Sequence, residues 1–326
     1  MKPVVMILAA GLGTRLAPFT DHTPKPLLPV LDVPLIEIGI RRLLAAGLRR
    51  FVVNSHHLCE LLEAFLADLR SRLSVELKND GGEQLEIMIS REPELLGTGG
   101  GLARARVLFQ DQPVLVVNSD VMFDFDLEQL VTFHESRGAL ATVLLHDGTG
   151  CEHLRSTATD SRGRITAIGR ASAEQTERAV FSGIYLLEPA LYGCLPNRFC
   201  SVITEGLKPA MESGARVLGL RASFPWRDLG TWEEYRAAVV DFLSNPIVSP
   251  YGQLKDLLPG RLIPDSVGTG FSYVGPGVEI PEGSTLGPLA AVGAHVRLAS
   301  GCRLERSVVL PGAEVSGRFS DTVCGL

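Results

Sequence analysis

The sequence is short of the features that most readily announce a function. No apolar run among its 326 residues approaches the roughly 20 needed to cross a bilayer, so no membrane partner is expected. Positive charge is not in excess either. The 31 Lys and Arg stand against 37 Asp and Glu, and the net charge of −6 gives no global field that would draw the chain to nucleic acid or an anionic surface. Six cysteines (Cys59, Cys151, Cys194, Cys200, Cys302, Cys324) are scattered without C-x-x-C spacing, which argues against a zinc site or a redox dithiol. They read as reduced small hydrophobes. The seven histidines are equally dispersed, and the neighbours His56 and His57 would point apart on a strand or helix. Met1-Lys2 leads into a strand-like segment with no cleavage site, so a cytoplasmic location is expected. Any anionic substrate must then be met by local positive charge.

What is present is an ordinary globular balance, 45% apolar and 21% charged, over a length that suggests two domains. From residue 3 to about 244 the apolar pattern switches between short β-rich runs and helical periodicity, the signature of an α/β sheet with crossover helices. Strands are expected at residues 3–10, 50–54, 85–90, 113–118, 139–146, 164–168, 180–187 and 216–222. Leu35, Ile36, Ile40, Leu43 and Leu44 recur at helical spacing with Gly47 as the stop. Further helices are expected at 58–73, 101–108, 127–136, 201–212 and 232–243.

After Asn245-Pro246 the texture turns to Pro and Gly, giving a plan of a main domain at 1–245, a connecting segment at 246–265 and a tail domain at 266–326. In the tail Val274, Ile280, Leu286, Val292, Leu298, Leu304 and Leu310 recur every six residues, with Val278, Ala290, Val296, Cys302 and Val308 at many of the i+4 positions. A period of six fits neither one helix nor one flat strand. It predicts a hexapeptide β-helix with the aliphatic column stacked inside.

Chemistry is concentrated after the first strand. Gly11-Leu12-Gly13-Thr14-Arg15 is a Gly-rich loop of the kind whose backbone N–H groups approach phosphate oxygens. It lacks the Lys-Ser/Thr ending of a P-loop and the third glycine of a dinucleotide fingerprint. It ends instead in Arg15, and Lys25 follows between Pro24 and Pro26, which stiffen the backbone around that second cation. Two fixed cations beside one Gly-loop imply a polyphosphate substrate. Asp120 follows the 113–118 run as Arg15 follows the first, so both fall at carboxyl ends of strands, where open α/β sheets place ligands.

The pair G-x-G-T-R and P-K-P resembles the signature of the sugar-1-phosphate nucleotidylyltransferases. Leu96-Gly97-Thr98-Gly99-Gly100-Gly101 resembles that family's second Gly-rich loop, Val117-Asn118-Ser119-Asp120 its metal-binding Asp segment, and Trp226-Arg227-Asp228-Leu229-Gly230 its W-x-D-x-G segment. The resemblance implies a Rossmann-like, GT-A-like α/β domain with a mixed, mainly parallel sheet, followed by a short left-handed β-helix that in relatives mediates assembly or regulation, and a homo-oligomer formed through it is expected. It implies that a nucleoside triphosphate and a sugar 1-phosphate give a nucleotide sugar and pyrophosphate, with Mg2+ on Asp120 and Asp228. Arg15 and Lys25 would be the catalytic cations. Leu8, Ala10, Gly11, Gly13, Thr14, Gly97 and Thr98 would hold the nucleotide, and Arg170 and Gly183 the sugar phosphate.

On the sugar side, Gly169-Arg170-Ala171 stands where many relatives have Glu-Lys-Pro, and Phe181-Ser182-Gly183-Ile184 where they have Asn-x-Gly. These departures and the Gly99-Gly100-Gly101 run resemble an N-acetylmuramate-1-phosphate uridylyltransferase branch. Asn118-Ser119-Asp120-Val121 and the tail resemble the mannose-1-phosphate guanylyltransferases, and both substrate readings stand at this point. A non-catalytic nucleotide-sugar-binding regulatory subunit is a third reading, opposed by the presence of Arg15, Lys25, Asp120 and Asp228 together. An acyltransferase in the tail would rest on His295 alone.

Overall fold

The computed structural model describes residues 2–79, 84–147, 156–169, 178–246, 253–265, 268 and 270–325. Arg170 and Cys151 lie outside them. The chain divides into two compact units, one made of Met1–Leu12, Leu43–Val121 and Phe125–Trp226, the other of Gly13–Arg42, Met122–Asp124 and Arg227–Leu326.

In the first unit, the Val4–Leu8 strand (VVMIL) is apolar at every position because it lies inside a sheet covered on both faces. It pairs in parallel with Arg50–Ser55 on one side and Val114–Asn118 on the other, and Glu86–Arg91 extends the parallel half. Beyond Val114–Asn118 the long Arg178–Leu187 strand runs antiparallel and carries Ala141–His146, to which Val217–Ala222 adds in parallel. The sheet is therefore mixed, with its parallel half built around the first strand. Val4, Met6, Val52, Val116, Val143, Leu102 and Tyr185 meet in its core. One strand of this sheet, Ser156–Thr159, has no counterpart in the sequence reading, because its four residues Ser-Thr-Ala-Thr carry no apolar alternation.

Two helices differ from expectation in instructive ways. The second Gly-rich segment is not a loop but the first turns of a helix at Gly97–Ala105, four residues ahead of the expected start. Where one α-helix was expected at 201–212, the chain forms a π-helical turn at Val202–Leu207 and then a short α-helix at Lys208–Glu212. Pro209 lacks an N–H and crowds the preceding turn, which a widened turn relieves. Ser201 closes the start, its hydroxyl accepting from the Ile203 N–H at 3.2 Å while the Glu205 carboxylate accepts from the Ser201 N–H at 3.0 Å.

In the second unit, short parallel strands stack into three ladders. Tyr273 pairs with Ala291, Ala291 with Val308 and Val308 with Val323; Leu286 pairs with Leu304 and Leu304 with Phe319; Leu298 pairs with Val315. Each turn of this coil takes about three hexads, the arrangement expected of hexapeptide repeats. Val274, Val292, Leu298, Leu304, Val309 and Val315 fill its interior. Two members of the six-residue column depart from it. Ile280 is exposed and lies in no strand, and Leu310 is displaced by Val309. The hexad containing Glu305 and Arg306 is one residue short, which moves the register so that Leu310 and Val308 face a second apolar cluster outside the coil.

That second cluster joins Tyr273, Ala291, Val308 and Leu310 of the coil to Leu16, Leu28, Val30 and Leu35, and to Tyr235, Val239 and Phe242 of the Trp232–Ser244 helix. The segment read as a connector, 246–265, contains a helix at Gln253–Leu257 and a strand at Arg261–Pro264 that pairs antiparallel with Phe271–Val274. The hairpin of Pro29–Val30 and Val33–Pro34 turns through Leu31 and Asp32, both at positive φ. The Asp32 carboxylate accepts from the Tyr273 hydroxyl and from the Ala294 N–H, both at 2.8 Å. Burial, helped by the Asp32 charge, pushes the Tyr273 phenol up, so it remains a donor across the working pH range.

Candidate active site

Leu8 and Asn118 are register partners on neighbouring parallel strands, so both strands end at one edge of the sheet. The Ser119 N–H donates to the Leu8 carbonyl at 3.1 Å and carries the pairing one step further. Ala9 to Leu12 leave that edge from one strand and Ser119-Asp120 from the other, the place where parallel α/β sheets receive ligands. Gly11 is exposed, and a side chain at that position would meet nothing within 4 Å. Asp120 is half-exposed.

Gly183 has φ +79°, and a Cβ there would come within 2.7 Å of the Asn118 amide nitrogen. Glycine is thus demanded twice, by the backbone and by the close approach. The strand bulges at this point. Its register against Ala141–His146 shifts between Phe181 and Tyr185, and the Ser182 hydroxyl donates to the Leu144 carbonyl at 2.6 Å and accepts from the Ile184 N–H at 3.2 Å. The Trp226 indole N–H donates to the Ser182 carbonyl at 2.9 Å. Ser182 is fully buried and committed to the bulge.

The Gly97–Ala105 helix uses its glycines for close packing. Gly97 stands at φ +69° with room for no Cβ, which would lie 2.6 Å from the Cys200 carbonyl oxygen; Gly99 abuts the Cys200 sulfur and Gly100 the Arg198 carbonyl. The Gly99 N–H donates to the Cys200 carbonyl at 2.9 Å, and the Thr98 hydroxyl accepts from the Val202 N–H at 3.0 Å. Residues 198–202, which the sequence reading did not single out, therefore pack against the first turns of this helix. Gly101 faces Asn54 and Glu92, also missed, and both are almost completely buried. The available signal was a polar residue near the carboxyl end of each of two β runs, Asn54 one residue before the end of Arg50–Ser55 and Glu92 one residue past Glu86–Arg91.

The second unit holds the cations. Gly13 is left-handed at φ +67°, and the Leu16 N–H and the Thr20 hydroxyl both donate to its carbonyl, at 2.8 and 3.1 Å. A Cβ on Gly13 would sit 2.8 Å from a Thr20 methyl and 3.1 Å from the Lys25 Cβ, so the tight turn is what lets Lys25 lie against the loop. Pro24 is extended, and a turn of 3-10 helix at Lys25–Leu27 follows, leaving Lys25 only 8% exposed. Arg15 is exposed, its guanidinium 2.6 Å from where a Cβ on Gly230 would be, and the Asp228 carboxylate lies 2.8 Å from the same point. Gly230 is the gap that allows these two charges to converge. Thr14, in the turn with Arg15, is exposed.

Chain 4–245 matches the model of a known family, described as "Nucleotidyl transferase". This chain belongs to the nucleotidyl transferase family. It is 29% identical over 310 residues to a mannose-1-phosphate guanylyltransferase of Mycobacterium tuberculosis, covering 92% of this chain and 82% of that one. It is 27% identical over 335 residues to a UTP–glucose-1-phosphate uridylyltransferase of Synechocystis, covering 95% and 85%. Its fold is similar to that of a UDP-glucose pyrophosphorylase from Acinetobacter baumanii, with TM-score 0.62 and 21% identity over 79% of this chain and 99% of that one.

Members of this family use a divalent metal. Among the described residues of this nucleotidyltransferase no group of three or more His, Cys, Asp or Glu side chains could hold such an ion by itself. Asp120 in the first unit and Asp228 in the second each carry hard carboxylate oxygens, the kind of ligand a small divalent ion takes beside water and phosphate oxygens. No helix of the described residues is long and apolar enough to cross a membrane.

Proposed function

We propose that the enzyme transfers a nucleotidyl group from a nucleoside triphosphate to a sugar 1-phosphate, with GTP and mannose 1-phosphate as its substrates and GDP-mannose and pyrophosphate as products. The observation that carries the reading is Lys25, buried against the left-handed Gly13 turn of the Gly-rich loop. The nucleophile is a phosphate oxygen of the sugar 1-phosphate, already an anion at neutral pH, so the protein has little proton transfer to perform. Positioning and charge neutralisation dominate. Arg15 holds the leaving pyrophosphate, and Lys25 stabilises the charge that grows on the α-phosphate as the oxygen attacks in line. Backbone groups of Leu8, Ala10, Gly11, Gly13, Thr14, Gly97 and Thr98 hold base, ribose and phosphates, while Gly183 lines the sugar pocket and Arg170 takes the sugar phosphate. Asp120 and Asp228 are the carboxylates for Mg2+, which supplies Lewis-acid neutralisation of the phosphate oxygens when bound. The reading includes a cytoplasmic setting and a homo-oligomer assembled through the coil.

The guanylyl and mannose choice is supported by the named relatives and by Asn118-Ser119-Asp120-Val121. The uridylyltransferase relative and the departures around Gly183 support a second reading, UTP with N-acetylmuramate 1-phosphate or another hexose 1-phosphate. A matrix of GTP, UTP, dTTP, CTP and ATP against several sugar 1-phosphates, read by pyrophosphate release, tests both. Turnover confined to GTP with mannose 1-phosphate is expected, and turnover confined to UTP hands the case to the second reading. Tight nucleotide-sugar binding with no turnover for any pair, with Mg2+ present, would remove the catalytic reading. Chelation of divalent metal and Asp120→Asn should each abolish turnover without unfolding the protein.

A further inference from the structure

A buried chain of hydrogen bonds links the two segments assigned to the nucleotide. The Ala9 N–H donates to the Asn54 amide oxygen at 2.7 Å, the Asn54 amide nitrogen donates to Glu92 Oε1 at 2.7 Å, and Glu92 Oε2 accepts from the Leu96 N–H at 2.9 Å. Asn54 and Glu92 are each 2% exposed. The orientation of the Asn54 amide follows from the chemistry at its two ends, since a backbone N–H can only donate and a carboxylate only accept. Glu92 is itself anchored, its N–H donating to the Ser55 carbonyl at 2.7 Å and its carbonyl lying 2.9 Å from His56 Nδ1. A buried carboxylate here is matched by the N-terminus of the Gly97–Ala105 helix. Gly101 makes room for the pair, because a Cβ there would fall 2.8 Å from Glu92 Oε1 and 2.9 Å from the Asn54 nitrogen.

We propose that the Asn54–Glu92 pair is a crossbar that fixes the spacing between the first Gly-loop and the Gly97–Thr98 turn and thereby sets the affinity for the nucleoside triphosphate. Neither residue touches substrate, so both are positioning residues. The inference rests on the assignment of the two segments to the nucleotide in the preceding section. A nucleotide held by backbone groups from two segments needs them at one separation, and this hydrogen-bond chain joins the Ala9 and Leu96 N–H groups that directly precede those segments. The crossbar has a polarity, acceptor to Ala9, donor across the middle and acceptor to Leu96, and only one other pair of residues of the same shape reproduces its ends. Asp at 54 accepts from Ala9, and Gln at 92 donates across the middle while its oxygen accepts from Leu96.

The test is an inversion of the middle bond. Asn54→Asp sets two carboxylates against each other, and Glu92→Gln leaves a buried donor facing a donor. Each single variant should raise KM for the nucleoside triphosphate, and its directly measured Kd, by about tenfold or more, with kcat and the KM for sugar phosphate changed far less. The double variant Asn54→Asp with Glu92→Gln should return KM, Kd and the thermal midpoint toward the wild-type values. Single variants that lower the midpoint while leaving nucleotide Kd and KM unchanged would reduce the pair to a structural contact. A double variant no better than the worse single would overturn the crossbar. Should either single variant fail to fold, a double variant that folds and binds supports the proposal, and one that also fails to fold overturns it. Absence of nucleotide binding and turnover in the wild type would instead count against the nucleotidyl-transfer reading, so the two failures are distinguishable.

Discussion

The two Gly-rich segments look alike in sequence and use their glycines for opposite ends. In the first, Gly11 faces open space, and only Gly13 is compelled, by its left-handed backbone and the nearness of Thr20 and Lys25. In the second, Gly97, Gly99 and Gly100 are packed against residues 198–202, and Gly101 against Asn54 and Glu92. A run of glycines therefore signals close approach of something to the backbone, and whether that something is a ligand or the protein itself depends on what lies within 4 Å.

This contrast can be broken or sharpened by substitution. The largest effect should fall on chemistry: Lys25→Ala should lower turnover by about 10²–10³-fold, as expected for removal of a preorganised charge aimed at the reacting centre, with the nucleotide Kd changed far less. Steady-state kinetics beside equilibrium binding would make Lys25 a docking residue if the loss were confined to affinity. Next is the packed segment. Gly100→Ala drives a Cβ onto the Arg198 carbonyl and should cost about 2–3 kcal/mol in denaturant unfolding. A neutral result would mean that residues 198–202 give way freely. Asp32→Ala should cost about 1–2 kcal/mol by removing the acceptor shared by Tyr273 and Ala294, and should lower kcat as well if the clamp steadies the Lys25 hairpin. Gly11→Ala is the mildest for folding, within about 0.5 kcal/mol, yet it should raise the KM for the nucleoside triphosphate because the new methyl enters the ligand space. Equal damage to stability from Gly11→Ala and Gly100→Ala would erase the distinction between the two loops.

Periodic features were legible in the sequence. The strands at Val4–Leu8, Arg50–Ser55 and Val114–Asn118 follow from short apolar runs buried on both faces, and the helices at Leu127–Ser136 and Trp232–Ser244 from a period of 3.6 that burial enforces. Asp120 does follow the end of the Val114–Asn118 strand, whereas Arg15 sits in a turn of 3-10 helix at Thr14–Leu16, seven residues past the end of the first strand. Features set by a single distant partner were not legible. Nothing near Asn54 in the sequence points to Glu92, which lies 38 residues away, and nothing near Gly100 points to Arg198. The Ser182 bulge was not legible either, because its partners, Leu144 and Trp226, come from other strands. The column of six failed at Ile280, which no strand holds, and at Leu310, where one short hexad shifted the register without breaking the apolar run.

The Asp32 clamp has a consequence for how the enzyme comes into being. Its carboxylate waits for partners 241 and 262 residues further along the chain. During synthesis the hairpin that follows Lys25 leaves the ribosome before the coil that buries it. Closing so long a loop is slow, and until it closes Leu16, Leu28 and Val30 lack the apolar cover they share with Tyr273 and Ala291. A nascent chain should thus acquire its sheet before Leu16, Leu28 and the hairpin that follows Lys25 are covered, and complete this cluster only as the coil forms.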